Sequence, residues 1–159
     1  MPTFKRMSRA DLMRCYPANA PLNEQTISIA REVTARLWNE RCEERGVPPS
    51  DDRSGSCKFA ALIAREIFGG RLAGNDEHVF VVVDGQVIDL NHDQADVKDL
   101  GAEAYLQDPL CLRHPDYRDA LGSCVPRAAK WTKVALEQML VERHTLALEK
   151  SFSEPSVSP

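Results

Sequence analysis

Apolar residues recur along this chain with a period that changes from segment to segment, and the changes outline its elements. From Asn23 to Gly46 the run NEQTISIAREVTARLWNERCEERG has helical spacing, with Ala30, Val33 and Leu37 on one stripe. Asn23 is placed to cap this helix and Glu24 meets its positive end; Gly46 suits the position just past its last turn, and Pro48-Pro49 forbid continuation. PPSDDRSGS then reads as a loop. A second helix is predicted from about Ser56 to Phe68, where Phe59, Ala60, Leu62, Ile63, Ile67 and Phe68 leave so little polar surface that it should lie centrally. Gly69-Gly70 end it, and RLAGNDE reads as a short loop. In HVFVVVDGQVIDL the period drops to two, which predicts two strands joined at Asp84-Gly85 by a type I′ turn.

The remaining segments are less regular. Residues 1–22, with Pro2, Pro17 and Pro21, read as an irregular or short-helical lead-in. NHDQADVKDLGAEAYLQDP reads as loop with at most a short helix, and HPDYRDALGSCVP as a short helix and turn. RAAKWTKVALEQMLVERHTLALEK is a terminal helix, and SFSEPSVSP (151–159) reads as a disordered tail. The expected organisation is one α+β domain over residues 1–150. A central helix starting near Cys57 packs on a small antiparallel sheet, flanked by N- and C-terminal helices.

Composition narrows the function classes. A chain of 159 residues with 43% hydrophobic and 28% charged residues is that of a globular domain able to bury a core. A net charge of -4 offers no overall basic excess for nucleic acid or an anionic membrane. No apolar run approaches the roughly 20 residues needed to span a bilayer. The start, MPTFKRMSRADLMRCYP, lacks the apolar core of a secretion signal, so a cytoplasmic location is expected, with any export by a signal-independent route. Five cysteines without C-x-x-C spacing point to reduced thiols rather than a disulfide framework. Cys111, His114 and Cys124 are spaced as part of a zinc site, but a fourth ligand at recognisable spacing is missing. The expectation is therefore no metal and no cofactor.

The hairpin acts as a ruler for the chemistry. With a two-residue turn at Asp84-Gly85, Val83 opposes Gln86, Phe80 opposes Asp89 and His78 opposes Asn91. His78, Phe80, Asp89 and Asn91 then share one face, with Val79, Val81, Val83, Ile88 and Leu90 on the other. His78 and Asp89 are diagonal neighbours about 7–8 Å apart at the backbone, within side-chain reach. The carboxylate can orient the imidazole and leave its second nitrogen free to act as a base. The apolar helix is the expected cover for the His78 face, which would bring its first turn beside His78. A thiol at that turn, Cys57, meets helix N–H groups and a positive dipole end that lower its pKa and can hold an oxyanion.

SGSCKFAALIA followed by HVFVVVDGQVIDLNHDQ, residues 54–94, resembles the core of the papain-like and transglutaminase-like cysteine enzymes. In that family the nucleophile heads a helix, the histidine opens a strand and the acid lies on the next strand. The resemblance implies a papain-like fold with Cys57 as nucleophile, His78 as base and Asp89 as orienting acid. It implies acyl-transfer chemistry (amide hydrolysis, proteolysis or deamidation) on a protein or peptide substrate, and small members without a signal often look like bacterial effectors or toxins. The chain departs from the papain-like pattern in lacking the oxyanion glutamine just before the cysteine. Gln25, Ser56 or backbone N–H groups would have to substitute.

Each residue also has a plainer reading. Cys57 can be a small buried hydrophobe, His78 a strand-capping residue, and Asp89 the start of a turn. Asn91, directly opposite His78, can replace Asp89 as orienter or hold a local turn. His92 can line the rim of the site, as can Asp93 and Gln94. Asp51 and Asp52 precede Cys57 and can select a cationic substrate group. Trp38 and Trp131 belong to helical stripes and are expected in the core; Arg41, Glu43, Glu44 and Arg45 are expected as a solvated helix end, and His144 on a charged face. A non-catalytic protein-binding module on the same scaffold, such as an immunity protein, chaperone or degenerate enzyme, is the alternative class.

Overall fold

The structure, a computed structural model, describes residues 6–48, 56–75, 78–91, 105 and 114–153. Its elements are α1 (Arg9–Met13), α2 (Glu24–Glu44), α3 (Cys57–Phe68), β1 (Arg71–Gly74), β2 (Val79–Val83), β3 (Gln86–Ile88) and α4 (Pro115–Ser153). The chain is mixed α+β, with one three-stranded antiparallel sheet in the order β1-β2-β3.

Local sequence explains the element ends. Asn23 caps α2 by accepting from the Thr26 N–H at 2.9 Å while Thr26 Oγ1 accepts from the Asn23 N–H at 3.1 Å, a reciprocal capping box. Gly46, with φ +65°, turns the chain away from the last turn of α2. The hairpin register is Val81 with Ile88, Val82 with Val87 and Val83 with Gln86, as the two-residue turn requires. Asp84 and Gly85 both have positive φ, 49° and 77°, the signature of the type I′ turn.

Helix α3 is the centre of the molecule. Leu62, Ile63, Ala64, Ile67 and Phe68 are all buried, and the helix packs on β2 on one side and on α4 on the other. Each large apolar side chain buried this way contributes about 1.5–3 kcal/mol. Phe59 stands between Trp38 of α2 and Trp131 of α4, with ring centroids 5.8 and 5.0 Å away, so three helices meet at the first turn of α3. The two tryptophans are core residues, as expected. Arg65, also buried, clamps α1 to α3: its guanidinium donates to the Asp11 carbonyl at 2.7 Å and lies over the Tyr16 ring at 4.1 Å.

Several expectations are corrected. RLAGNDE is not all loop, because Arg71–Gly74 pair with Val82–Val79 as an edge strand. Four residues ending in glycine carry too little alternation to reveal a strand that its neighbour specifies. HPDYRDALGSCVP is not a separate helix and turn. One helix of 39 residues runs from Pro115 to Ser153, through Pro126 and into the segment expected as a disordered tail. Leu121, Cys124, Ala128, Trp131, Ala135 and Met139 form a buried stripe that crosses the proline without a break, and this packing outweighs the lost backbone bond.

The face of the ribbon under α3 is also corrected. The core cluster that contains α3 includes Leu72, Val79, Val81, Val83, Ile88 and Leu90, but not Phe80 or Ala73. The helix therefore covers the valine face. Phe80, though buried, packs instead with His78 and Tyr105.

Candidate functional site

The site forms where the start of α3 meets the start of β2. Ser56, immediately before α3, makes no side-chain cap; fully buried, it donates Oγ to Asn91 Oδ1 at 2.9 Å. This bond ties the first turn of α3 to the chain leaving β3. His78 directly precedes β2 and is fixed through Asn75, whose N–H donates to the His78 carbonyl at 2.9 Å and whose Oδ1 accepts from the His78 N–H at 3.0 Å. The turn between β1 and β2 thus sets the histidine backbone.

Asp89 holds the imidazole. His78 Nε2 lies 2.6 Å from Asp89 Oδ2, and the Asp89 side chain is only 2% exposed. The same oxygen accepts from the Tyr105 hydroxyl at 3.1 Å, and Oδ1 accepts from the Asn91 N–H at 3.0 Å. The His78 ring is flanked by Phe80, stacked at 6.1 Å, and by the edge of Tyr105 at 5.8 Å. With Nε2 engaged by Asp89, the His78 ring also acts on the Cys57 thiol, as does the Val79 N–H, and both favour the thiolate.

Electrostatics follow from these contacts. Burial penalises a charge on His78, yet the hydrogen bonds to Asp89 and Cys57 raise its pKa from 6.5 to about 9. Burial likewise pushes the Cys57 thiol up, but the His78 bond, the Lys58 charge and the Val79 N–H together bring it below its ordinary value. Burial and the Asp89 charge push the Tyr105 hydroxyl up, so it stays protonated and donates. Both shifts run toward a thiolate beside an imidazolium, with a buried carboxylate behind.

Cys57, His78 and Asp89 are therefore brought together. Asn91 is not the orienter of His78, because its Oδ1 is taken by Ser56 and its N–H by Asp89. Ser56 is a brace rather than an exposed donor. Gln25 lies elsewhere, exposed on the first turn of α2 in a groove with Ile29, Met139, Leu140 and Arg143. α2 meets α3 at Trp38 and Arg41, not at Gln25, and thirteen helical residues place Gln25 about 20 Å from Trp38. His92, Asp93, Gln94, Asp51, Asp52 and Cys111 lie outside the described residues. Among the described residues no three His, Cys, Asp or Glu side chains converge as metal ligands, and His114 is exposed.

Tyr105 is the site residue that pattern reading missed. It comes from a stretch without periodicity, and its only signal is that it is the sole aromatic residue between Phe80 and Tyr117. Among the described residues no helix is long and apolar enough to cross a membrane. No family model, curated protein or solved structure matches the chain.

Proposed function

We propose that this protein is a cysteine-dependent acyl-transfer enzyme, an amide hydrolase, protease or deamidase, on a papain-like or transglutaminase-like scaffold. The observation that carries the reading is one imidazole bonded at once to Asp89 and to the thiol that opens α3. A buried structural cysteine has no need of a charged histidine held by a buried carboxylate. The substrate class is a protein or peptide carboxamide, no metal or cofactor is required, and delivery into other cells as an effector or toxin is part of the proposal.

In this mechanism the Cys57 sulfur forms a bond to the carbonyl carbon, and the carbonyl π electrons move onto oxygen. The N–H groups of the first turn of α3, including that of Cys57, receive the oxyanion. As the carbonyl re-forms, the C–N bond breaks and His78 gives its proton to the leaving amine. His78 then takes a proton from water or an acceptor amine, which attacks the thioester and returns the thiolate. Asp89 keeps the ring oriented and compensates its charge throughout.

The deciding experiment is the alkylation rate of each cysteine against pH, read by peptide mass, in wild type and in His78→Ala. Fast reaction of Cys57 below pH 7 that is lost without His78 supports the ion pair. Reaction like an ordinary thiol, near pH 8.5, ends the reading. A second reading, a protein-binding module, draws on a different feature: Leu140, Val141, Leu148 and Phe152 are exposed on the last turns of α4.

A further inference from the structure

A second constellation lies beside the first turn of α3, on the face toward the other helices. A groove between the C-terminal half of α2 and the first half of α4 is floored by Trp38, Phe59 and Trp131. Arg41, Arg45, Arg127 and Lys130 wall it, four cations with no carboxylate among the described lining residues, in a chain whose net charge is -4. Glu44 approaches Arg127 only to 3.9 Å with both side chains well exposed, so it contributes little.

Two donors lie behind the groove wall, closed to solvent. Trp38 Nε1 and Arg41 Nε are buried and make no hydrogen bond among the described residues, although Trp38 is only 7% exposed. The half-buried Arg41 guanidinium lies over the Phe59 ring at 5.4 Å. Burial, Arg127 and Arg45 all work against its charge. The expected solvated helix end is thus corrected: one of its arginines is packed among like charges and aromatic rings.

Cations that crowd one another cost stability until an acceptor-rich anion arrives. An apolar ligand would leave the charges unpaired, and a single carboxylate would answer one of them. The planar forks of three arginines match the oxygens of a phosphate group. We propose that this groove is a binding site for a phosphate-bearing ligand, held by Arg41, Arg45, Arg127 and Lys130 over an aromatic floor. The site stands apart from the Cys57 chemistry and does not depend on it.

The test uses the full chain and pyrophosphate, by calorimetric titration and thermal unfolding at constant ionic strength. Wild type should show saturable one-site binding and a raised Tm. The surface double variant Arg127→Gln/Lys130→Gln, folded as judged by circular dichroism, should bind about tenfold more weakly or worse. Because it removes crowded cations, its Tm without ligand should equal or exceed that of wild type. Equal binding by the double variant overturns the proposal. So does the absence of saturable binding at millimolar pyrophosphate, or a Tm gain that sodium chloride reproduces at matched ionic strength.

Discussion

Asp89 Oδ2 receives two side-chain hydrogen bonds, one from His78 Nε2 at 2.6 Å and one from the Tyr105 hydroxyl at 3.1 Å. One buried carboxylate oxygen therefore joins a histidine selected by the hairpin to a tyrosine from an unpatterned segment. Changing Asp89 to Asn replaces that oxygen's charge with a dipole. The His78 pKa, read by NMR, should fall well below about 9, and turnover should drop by about tenfold or more. Tyr105→Phe should lower the same pKa by less and cost about 1 kcal/mol of stability. An unchanged histidine titration in Asp89→Asn would remove the orienting role.

The pH dependence has a definite sign. Folding raises the His78 pKa from 6.5 to about 9, so the stability this provides is complete below about pH 6.5 and is lost as pH climbs through about 9. The pH-dependent part of the Tm difference between wild type and His78→Ala should shrink across that window. Alkylation of Cys57 should lose its low-pH advantage in the same variant, because the bond that lowers the thiol's pKa is gone.

Ser56 and Asn91 brace the site without touching the imidazole. Ser56→Ala leaves Asn91 Oδ1 buried without its hydroxyl donor, at a cost of about 1–3 kcal/mol. Chemical denaturation should report that loss. Asn91→Asp should destabilise more, because it places a second carboxylate in a buried site beside Asp89, and the same measurement reads it.

Glycines at two turns should respond unequally. Gly70 has φ +81° and an added Cβ would run into the Val82 carbonyl, whereas Gly85 has φ +77° and open space around it. Gly85→Ala should cost about 1 kcal/mol from backbone strain alone. Gly70→Ala adds a steric clash against β2 and should cost clearly more, with the difference visible in denaturation midpoints.

Pro126 lies inside α4 and is exposed. Pro126→Ala restores a backbone donor and relieves the ring, so stability should rise by about 1–3 kcal/mol. A lower Tm in this variant would mean that the proline shapes the packing of Trp131 or Cys124 rather than merely being tolerated.

Much of the site was legible because its logic is local. Asn23 as a cap, Gly46 as a stop, and Asp84-Gly85 as a two-residue turn each act within a few residues. A strand's alternation is set by the backbone itself. Hence His78 and Asp89 could be paired from the turn alone, and the break before an apolar helix marked Cys57. Gln25 failed as a site residue because nothing local says which end of α2 meets α3.

The chain's own periodicities and turn residues determined α2, α3, the hairpin register and the diagonal of His78 and Asp89, since those depend on short-range sterics and hydrogen bonding. Tertiary structure alone decided that β1 is a strand, that α4 continues through Pro126, that α3 covers the valine face, and that Tyr105 reaches Asp89. It also gathered Arg41, Arg45, Arg127 and Lys130 into one groove that net charge conceals. Each of these is settled by partners distant in sequence, whose packing energy exceeds the weak local preferences of the residues involved.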